Sequence, residues 1–215
     1  MFADNKLDTL NNIIRARHTT RKFKTEAPEK AIIGQVVEAG LYAPYAAMTG
    51  MKLEELRHIV VLAPESDVCN KVKDLLYAEI KNGYRKLSLA SRFSSKLRRQ
   101  GQTFIKRLAY FVEKGVPALD QGTYWILVLE KKGIPSSSNL AVAHVLENMW
   151  LEATALGLGF QLLSATKLLE KSTGFWETIG YEKGLYELDG CLAGYSDQVG
   201  GVLNTLAAAD YVQWL

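Results

Sequence analysis

Ser138-Asn139-Leu140-Ala141-Val142-Ala143-His144-Val145-Leu146-Glu147-Asn148-Met149-Trp150-Leu151-Glu152-Ala153-Thr154-Ala155-Leu156, followed by Gly157-Leu158-Gly159, is the stretch that decides the fold. Ser136, Ser137, Ser138 and Asn139 supply side-chain acceptors for the orphan N–H groups of a helix start. Gly157 stands where a helix end requires a left-handed residue. Between these signals the apolar residues surround nearly the whole helix, from Ala141 and Val142 to Met149, Trp150 and Ala153. A surface helix would leave one polar face. The pattern therefore predicts a central core helix, partly in a subunit interface.

Two apolar runs flank it at a distance. Arg57-His58-Ile59-Val60-Val61-Leu62 ends at Ala63-Pro64, and Tyr124-Trp125-Ile126-Leu127-Val128-Leu129-Glu130 ends at Lys131-Lys132-Gly133. Both read as buried strands and as neighbours in one sheet. Tyr186 to Tyr195 reads as a third strand with more alternation. Leu7, Leu10, Ile13 and Ile14 fall on one face of an N-terminal helix that Asp4 could cap. Pro28-Glu29-Lys30 opens a second helix that ends near Tyr42-Ala43-Pro44.

The chain has 215 residues, 48% hydrophobic and 23% charged, which suits one domain or two small ones with a large core. No internal repeat, linker or boundary divides it, so 1–215 reads as one domain with a C-terminal arm at about 199–215. The formal charge of +3 implies no nucleic-acid partner. That charge is unevenly spread. The helical stretch 70–114 carries twelve lysines and arginines against Asp74, Glu79 and Glu113, a net of +9, which leaves −6 for the rest. It reads as a solvated basic face of two surface helices, or as a docking face for an acidic electron carrier such as a ferredoxin or flavodoxin, or a lure for anionic substrates.

Cys69 and Cys191 form no CxxC pair, and no histidine lies near either. They read as small buried residues rather than metal ligands, and their number fits a reducing compartment. The N-terminus lacks the basic start and apolar run of a secretory signal, and no run of about 18 apolar residues occurs. These features predict a cytoplasmic protein with no metal and no membrane span.

Three stretches carry the candidate chemistry. Arg17-His18-Thr19-Thr20-Arg21-Lys22-Phe23 holds two arginines four residues apart with hydroxyls between. Read alone it is a solvated basic turn, or two guanidinium groups converging on one phosphate. Phe160-Gln161-Leu162-Leu163-Ser164, after the glycines, offers free backbone N–H groups beside an apolar wall, or simply an ordinary helix stop. Ala39-Gly40-Leu41-Tyr42-Ala43-Pro44-Tyr45-Ala46-Ala47-Met48 is a helix end with a small-residue loop that a flat ligand could approach closely.

In this order the three resemble the nitroreductase family of flavin enzymes. Arg17-x-Thr19-x-Arg21-x-Phe23 is similar to the family's Arg-x-Ser-x-Arg-x-Phe, and Ala39 to Pro44 to its A-x-x-A-P-S segment. Ala143 to Gly159 resembles its A-x-Q-N-M-x-L-x-A-x-x-L-G-L-G helix, and Leu192-Ala193-Gly194-Tyr195 its L-G-Y-P strand end. The resemblance covers most of the chain and is weakest at 70–114. It implies an α+β fold, a central mainly antiparallel sheet flanked by helices, in a domain-swapped homodimer with two FMN sites at the interface.

The resemblance also implies roles. Arg17, His18, Thr19 and Arg21 would hold the phosphate and ribityl end. Pro44, Tyr45, Ala46 and Ala47 would line the ring, from the partner subunit. Leu162, Leu163 and Ser164 would meet its reactive edge, with the Ser164 N–H near N5. No catalytic side chain is required, because the flavin does the chemistry. NAD(P)H would reduce the cofactor and a nitroaromatic, quinone or similar acceptor would reoxidise it. Alternatives are reduction by a protein carrier such as a ferredoxin, or a non-catalytic flavin- or ligand-binding dimer. Two departures from the family pattern stand out. Tyr45 and Met48 replace the usual serine and asparagine, and no lysine or arginine lies between Gly194 and Leu215. One cation of the phosphate site is therefore absent or comes from elsewhere.

Overall fold

The computed structural model describes residues 2–45, 50–135, 137–198 and 211–214. In chain order the elements are α1 (Phe2–Ala16), α2 (Lys30–Leu41), α3 (Leu53–Leu56), β1 (Arg57–Leu62), α4 (Asp67–Phe93), α5 (Ser95–Gln100), α6 (Gln102–Lys114), β2 (Tyr124–Lys131), α7 (Ser138–Ala155), β3 (Gly159–Leu162), α8 (Thr173–Ile179) and β4 (Tyr186–Gly194). The strands form one antiparallel sheet in the order β1-β2-β4-β3. The α+β fold expected from the sequence is the fold observed, and β1 and β2 are neighbours, Val60 opposite Leu127.

Alternation along the strands builds two cores, one on each face. Tyr124, Ile126, Val128, Cys191 and Ala193 point to α2 and α7, where Val36, Val145, Met149 and Ala153 meet them. Trp125, Leu127, Leu129, Leu188 and Leu192 point the other way, to α4, α6 and α8. A strand covered on both faces has no polar side, which is why β2 reads as a continuous apolar run. The helix 138–155 is buried on the sheet side as expected, while Leu140, Ala143, His144 and Glu147 leave a second face open. Both cysteines are buried, and burial pushes both thiols up in pKa.

Several details differ from the sequence reading. The first helix starts at Phe2, so Asp4 lies inside it rather than at its cap. Leu7, Leu10 and Ile14 on that helix are exposed in the single chain. Pro28 precedes the N-cap Glu29 and is buried. The basic segment folds as three helices, not two surface ones, and they supply much of one core. Cys69, Val72, Leu76 and Ile80 of α4 and Leu108 and Phe111 of α6 are all buried. Finally, the glycines do more than stop a helix. Gly157 takes the expected positive φ of 71°, but Gly159 begins β3, an edge strand too short for a periodic signal. Among the described residues no helix is long and apolar enough to cross a membrane.

Candidate functional site

The basic segment lies along β3. The Thr20 N–H donates to Phe160 O (2.9 Å), Phe23 bridges to Ser196 beyond the end of β4, and Lys24 N–H donates to Tyr195 O (2.9 Å). The approach is close because of Gly159: a Cβ there would sit 2.7 Å from Thr20 Cγ2. Gln198 closes the segment from the other side. Its Oε1 accepts from the N–H groups of Arg21 (3.0 Å) and Lys22 (3.3 Å), and its Nε2 donates to Thr19 O (3.2 Å). Residues more than 170 apart in sequence thus hold one loop.

Within that loop the two arginines differ. The Arg17 guanidinium is 3.2 Å from Glu147 and stacks 4.3 Å from the Trp150 ring centroid. Trp150 in turn donates from its indole N–H to His18 O (3.2 Å) and stacks on Phe160. Arg21 is exposed and has no acidic partner among the described residues. The His18 ring donates from Nδ1 to Ala16 O (2.9 Å), leaving Nε2 buried without a partner. Thr20 Oγ1 is also buried, and among the described residues neither atom has a partner.

The strand end continues the site. Gln161, Leu162 and Ser164 follow directly from the residue bonded to Thr20. The expectation of several free N–H groups here needs correcting. The Leu163 N–H donates to Gly190 O (2.9 Å), because β3 stays in register with β4. Ser164 opens the short 3₁₀ stretch Ser164–Lys171, is exposed, and its N–H has no partner among the described residues. A cleft of about 830 Å³ joins Thr19 and Arg21 to Gln161 and Leu162. Its opposite wall is α5 and α6, through Gln100, Thr103, Phe104, Lys106, Arg107 and Tyr110.

The Ala-Pro loop lies elsewhere. The Arg57 guanidinium, buried, pairs with Glu130 and donates to the carbonyls of Gly40, Leu41 (3.1 Å), Ala43 (2.7 Å) and Pro44. These carbonyls lie at and just beyond a helix C-terminus, where acceptors outnumber backbone donors, and one fork of donors collects them. Burial pushes the Glu130 carboxyl up in pKa and outweighs the downward pull of Arg57. The Tyr45 hydroxyl donates to Lys131 O (2.6 Å). Thr20 sits level with Tyr124, at the other end of β2 and on the far side of the sheet. Seven residues of strand separate those two levels, about 24 Å. Within one chain the structure therefore does not bring Pro44 or Tyr45 to Arg21. Ala46 and Ala47 lie outside the described residues, as do Met48 and most of the arm. Tyr211 and Trp214 of the arm are exposed.

Sequence reasoning passed over Gln198, Trp150, the Arg57–Glu130 pair and the α6 cations. Only Arg57 left a local signal, an arginine heading an apolar strand.

The profile of the Nitroreductase family matches residues 14–192. The chain belongs to the nitroreductase family. Structural neighbours carry the same fold. A nitroreductase with bound FMN from Bacteroides fragilis NCTC 9343 superposes with a TM-score of 0.67 at 17% identity, over 96% of this chain and 98% of that one. A BluB-like flavoprotein from Clostridium difficile 630 gives 0.66 at 19%, over 96% and 98%. A point mutant of the FMN and NADPH-dependent nitroreductase NfnB from sphigopyxis sp. strain HMH gives 0.67 at 13%, over 95% and 98%. Several such nitroreductase neighbours were crystallised with FMN. None of the curated proteins matches the sequence at a significant level.

Proposed function

We propose that this nitroreductase-family chain is an FMN-dependent oxidoreductase, acting as a homodimer, that passes reducing equivalents from NAD(P)H to a nitroaromatic, quinone or similar small acceptor. The observation that carries the reading is the juxtaposition, through the Thr20–Phe160 hydrogen bond, of Thr19 and Arg21 with Gln161 and Leu162 along one cleft. The cleft's size is that of a small-ligand site. The fit is chemical as well: among the described residues Arg21 has no acidic partner and offers an unspent cation for a phosphate. Arg17, His18, Thr19 and Arg21 hold the phosphate and ribityl end, and Leu162, Leu163 and Ser164 meet the ring, with the Ser164 N–H as the free donor. FMN, when bound, supplies the redox chemistry, and the chain binds, orients and shields it.

The opposite-corner position of Pro44 and Tyr45 favours a second subunit that brings Pro44, Tyr45, Ala46 and Ala47 over the ring. The exposed apolar residues of α1 and of α7, Leu7, Leu10, Ile14 and Leu140, offer an interface for it. Purified protein is expected to be yellow, or to turn yellow with FMN, and to bleach when NADH or NADPH is added without oxygen. Protein that cannot be loaded with FMN would refute the reading. Protein that loads but does not bleach would favour an electron carrier as donor. The basic α4–α6 region, rimmed by exposed Leu89, Phe93 and Phe104, is the surface that supports that second reading. Reduction by an acidic carrier would then fall steeply with salt.

A further inference from the structure

The sequence leaves the phosphate short of a cation in the C-terminal arm, and the structure offers one from another element. Two hollows meet at Arg21. The larger, about 830 Å³, and a smaller one, about 240 Å³, share Arg21, Arg107, Tyr110 and Gln161. Among the described residues, together they are lined by four cations, Arg21, Lys22, Lys106 and Arg107, and by no carboxylate. None of the four has an ion pair among the described residues. Like charges gathered without counter-charge repel, and a bound anion is what relieves them. Arg17, the other arginine of the basic segment, is already committed to Glu147.

The position of Arg107 is built, not incidental. Leu108 and Phe111 are buried in the core and fix the rotation of α6. Phe104, Arg107 and Tyr110 follow at three-residue intervals and so share the face turned to the cleft. The Arg107 guanidinium lies 4.5 Å from the Phe111 ring centroid and 5.5 Å from that of Tyr110. A guanidinium resting on aromatic faces has fewer rotamers to lose when an anion arrives.

We propose that Arg107, assisted by Lys106, faces Arg21 across the cleft and completes the phosphate site in place of an arm cation. The proposal rests on the FMN reading and assigns a binding role to the basic helical segment. The test compares two ligands that differ only in the phosphate. Apo-protein is titrated with FMN and with riboflavin at low salt, following flavin fluorescence. Wild type is expected to prefer FMN. Arg107→Ala should lose about tenfold or more in FMN affinity, the loss of one charge-assisted contact, and flatten its salt dependence. Its riboflavin affinity should not change. Lys106→Ala should show the same pattern more weakly, and Lys71→Ala, on the exposed side of α4, should change neither. Arg107→Gln, which keeps the polar stem, covers the case in which the alanine variant does not fold. Unchanged FMN affinity in the folded variants, or equal losses for both flavins, would overturn the assignment while leaving the FMN reading intact. Wild-type protein that binds neither flavin would overturn both.

Discussion

Two arginine-centred regions stand at opposite corners of the sheet. Around Arg57 the guanidinium is engaged on every side, by Glu130 on the facing strand and the carbonyls of α2, Ala43 and Pro44, and Glu130 Oε2 alone stays buried without a partner among the described residues there. Around Arg21 the guanidinium has no acidic partner among the described residues, and more cations line the same hollows. The same side-chain chemistry is spent on the fold in one place and left unspent in the other. A buried, saturated arginine fixes a backbone. An open one among like charges marks a place for an anion.

The comparison can be broken in four ways. The largest effect should follow Arg57→Ala, which strands Glu130 and a row of carbonyls in the interior. Loss of one partner from a buried pair typically costs ~3–5 kcal/mol, to be read from urea denaturation. A loss under about 1 kcal/mol would show that the pair is not structural. Next, Arg21→Ala should leave the urea midpoint unchanged but weaken FMN by a factor of roughly ten to a hundred, ~1.5–3 kcal/mol. Arg17→Ala should do less, since Glu147 and Trp150 already engage that guanidinium. The reverse ranking would reassign the phosphate to Arg17. Third, Gly159→Ala drives a Cβ against Thr20, a stiff β-branched neighbour. Overpacking of this kind costs ~1–3 kcal/mol, and here stability and FMN affinity should fall together. A variant that lost stability alone would separate strand from site. Smallest, Gln198→Ala removes bonds to an exposed loop, each worth ~0.5–1.5 kcal/mol at most. A modest fall in FMN affinity at constant melting temperature is expected, and a melting shift without a binding effect would contradict it.

Legibility in the sequence followed the range of the forces involved. β2 was readable because a strand covered on both faces is apolar throughout, β1 by its short apolar run and β4 by its alternation, and Pro64 and Gly133 punctuate the first two in chain order. The four residues of β3 carry no such pattern, and only pairing with β4 makes them a strand. In 70–114 the charge was visible, whereas the burial of Cys69, Val72, Leu76 and Ile80 needed the packing partner to be known. Three residues that the family resemblance singled out, Thr19, Arg21 and Leu162, line one cleft. The resemblance gave no pointer to Gln198, or to Arg107 on the same cleft, because their contacts lie far along the chain. It also gave no sign that the hydroxyl of Tyr45 would anchor at Lys131, one end of β2, rather than face the cleft.

The Gln198 bridge has a consequence for the order of folding. It joins Arg21 to a residue 177 positions away. A contact of that separation closes nearly the whole chain into a loop, so it forms only after the strands between have repaid the entropy. On this ground the Arg21 corner is expected to close late and open early, which native-state hydrogen exchange would check. Flavin that grips this corner would lengthen the lifetime of the native state far more than it would hasten its formation.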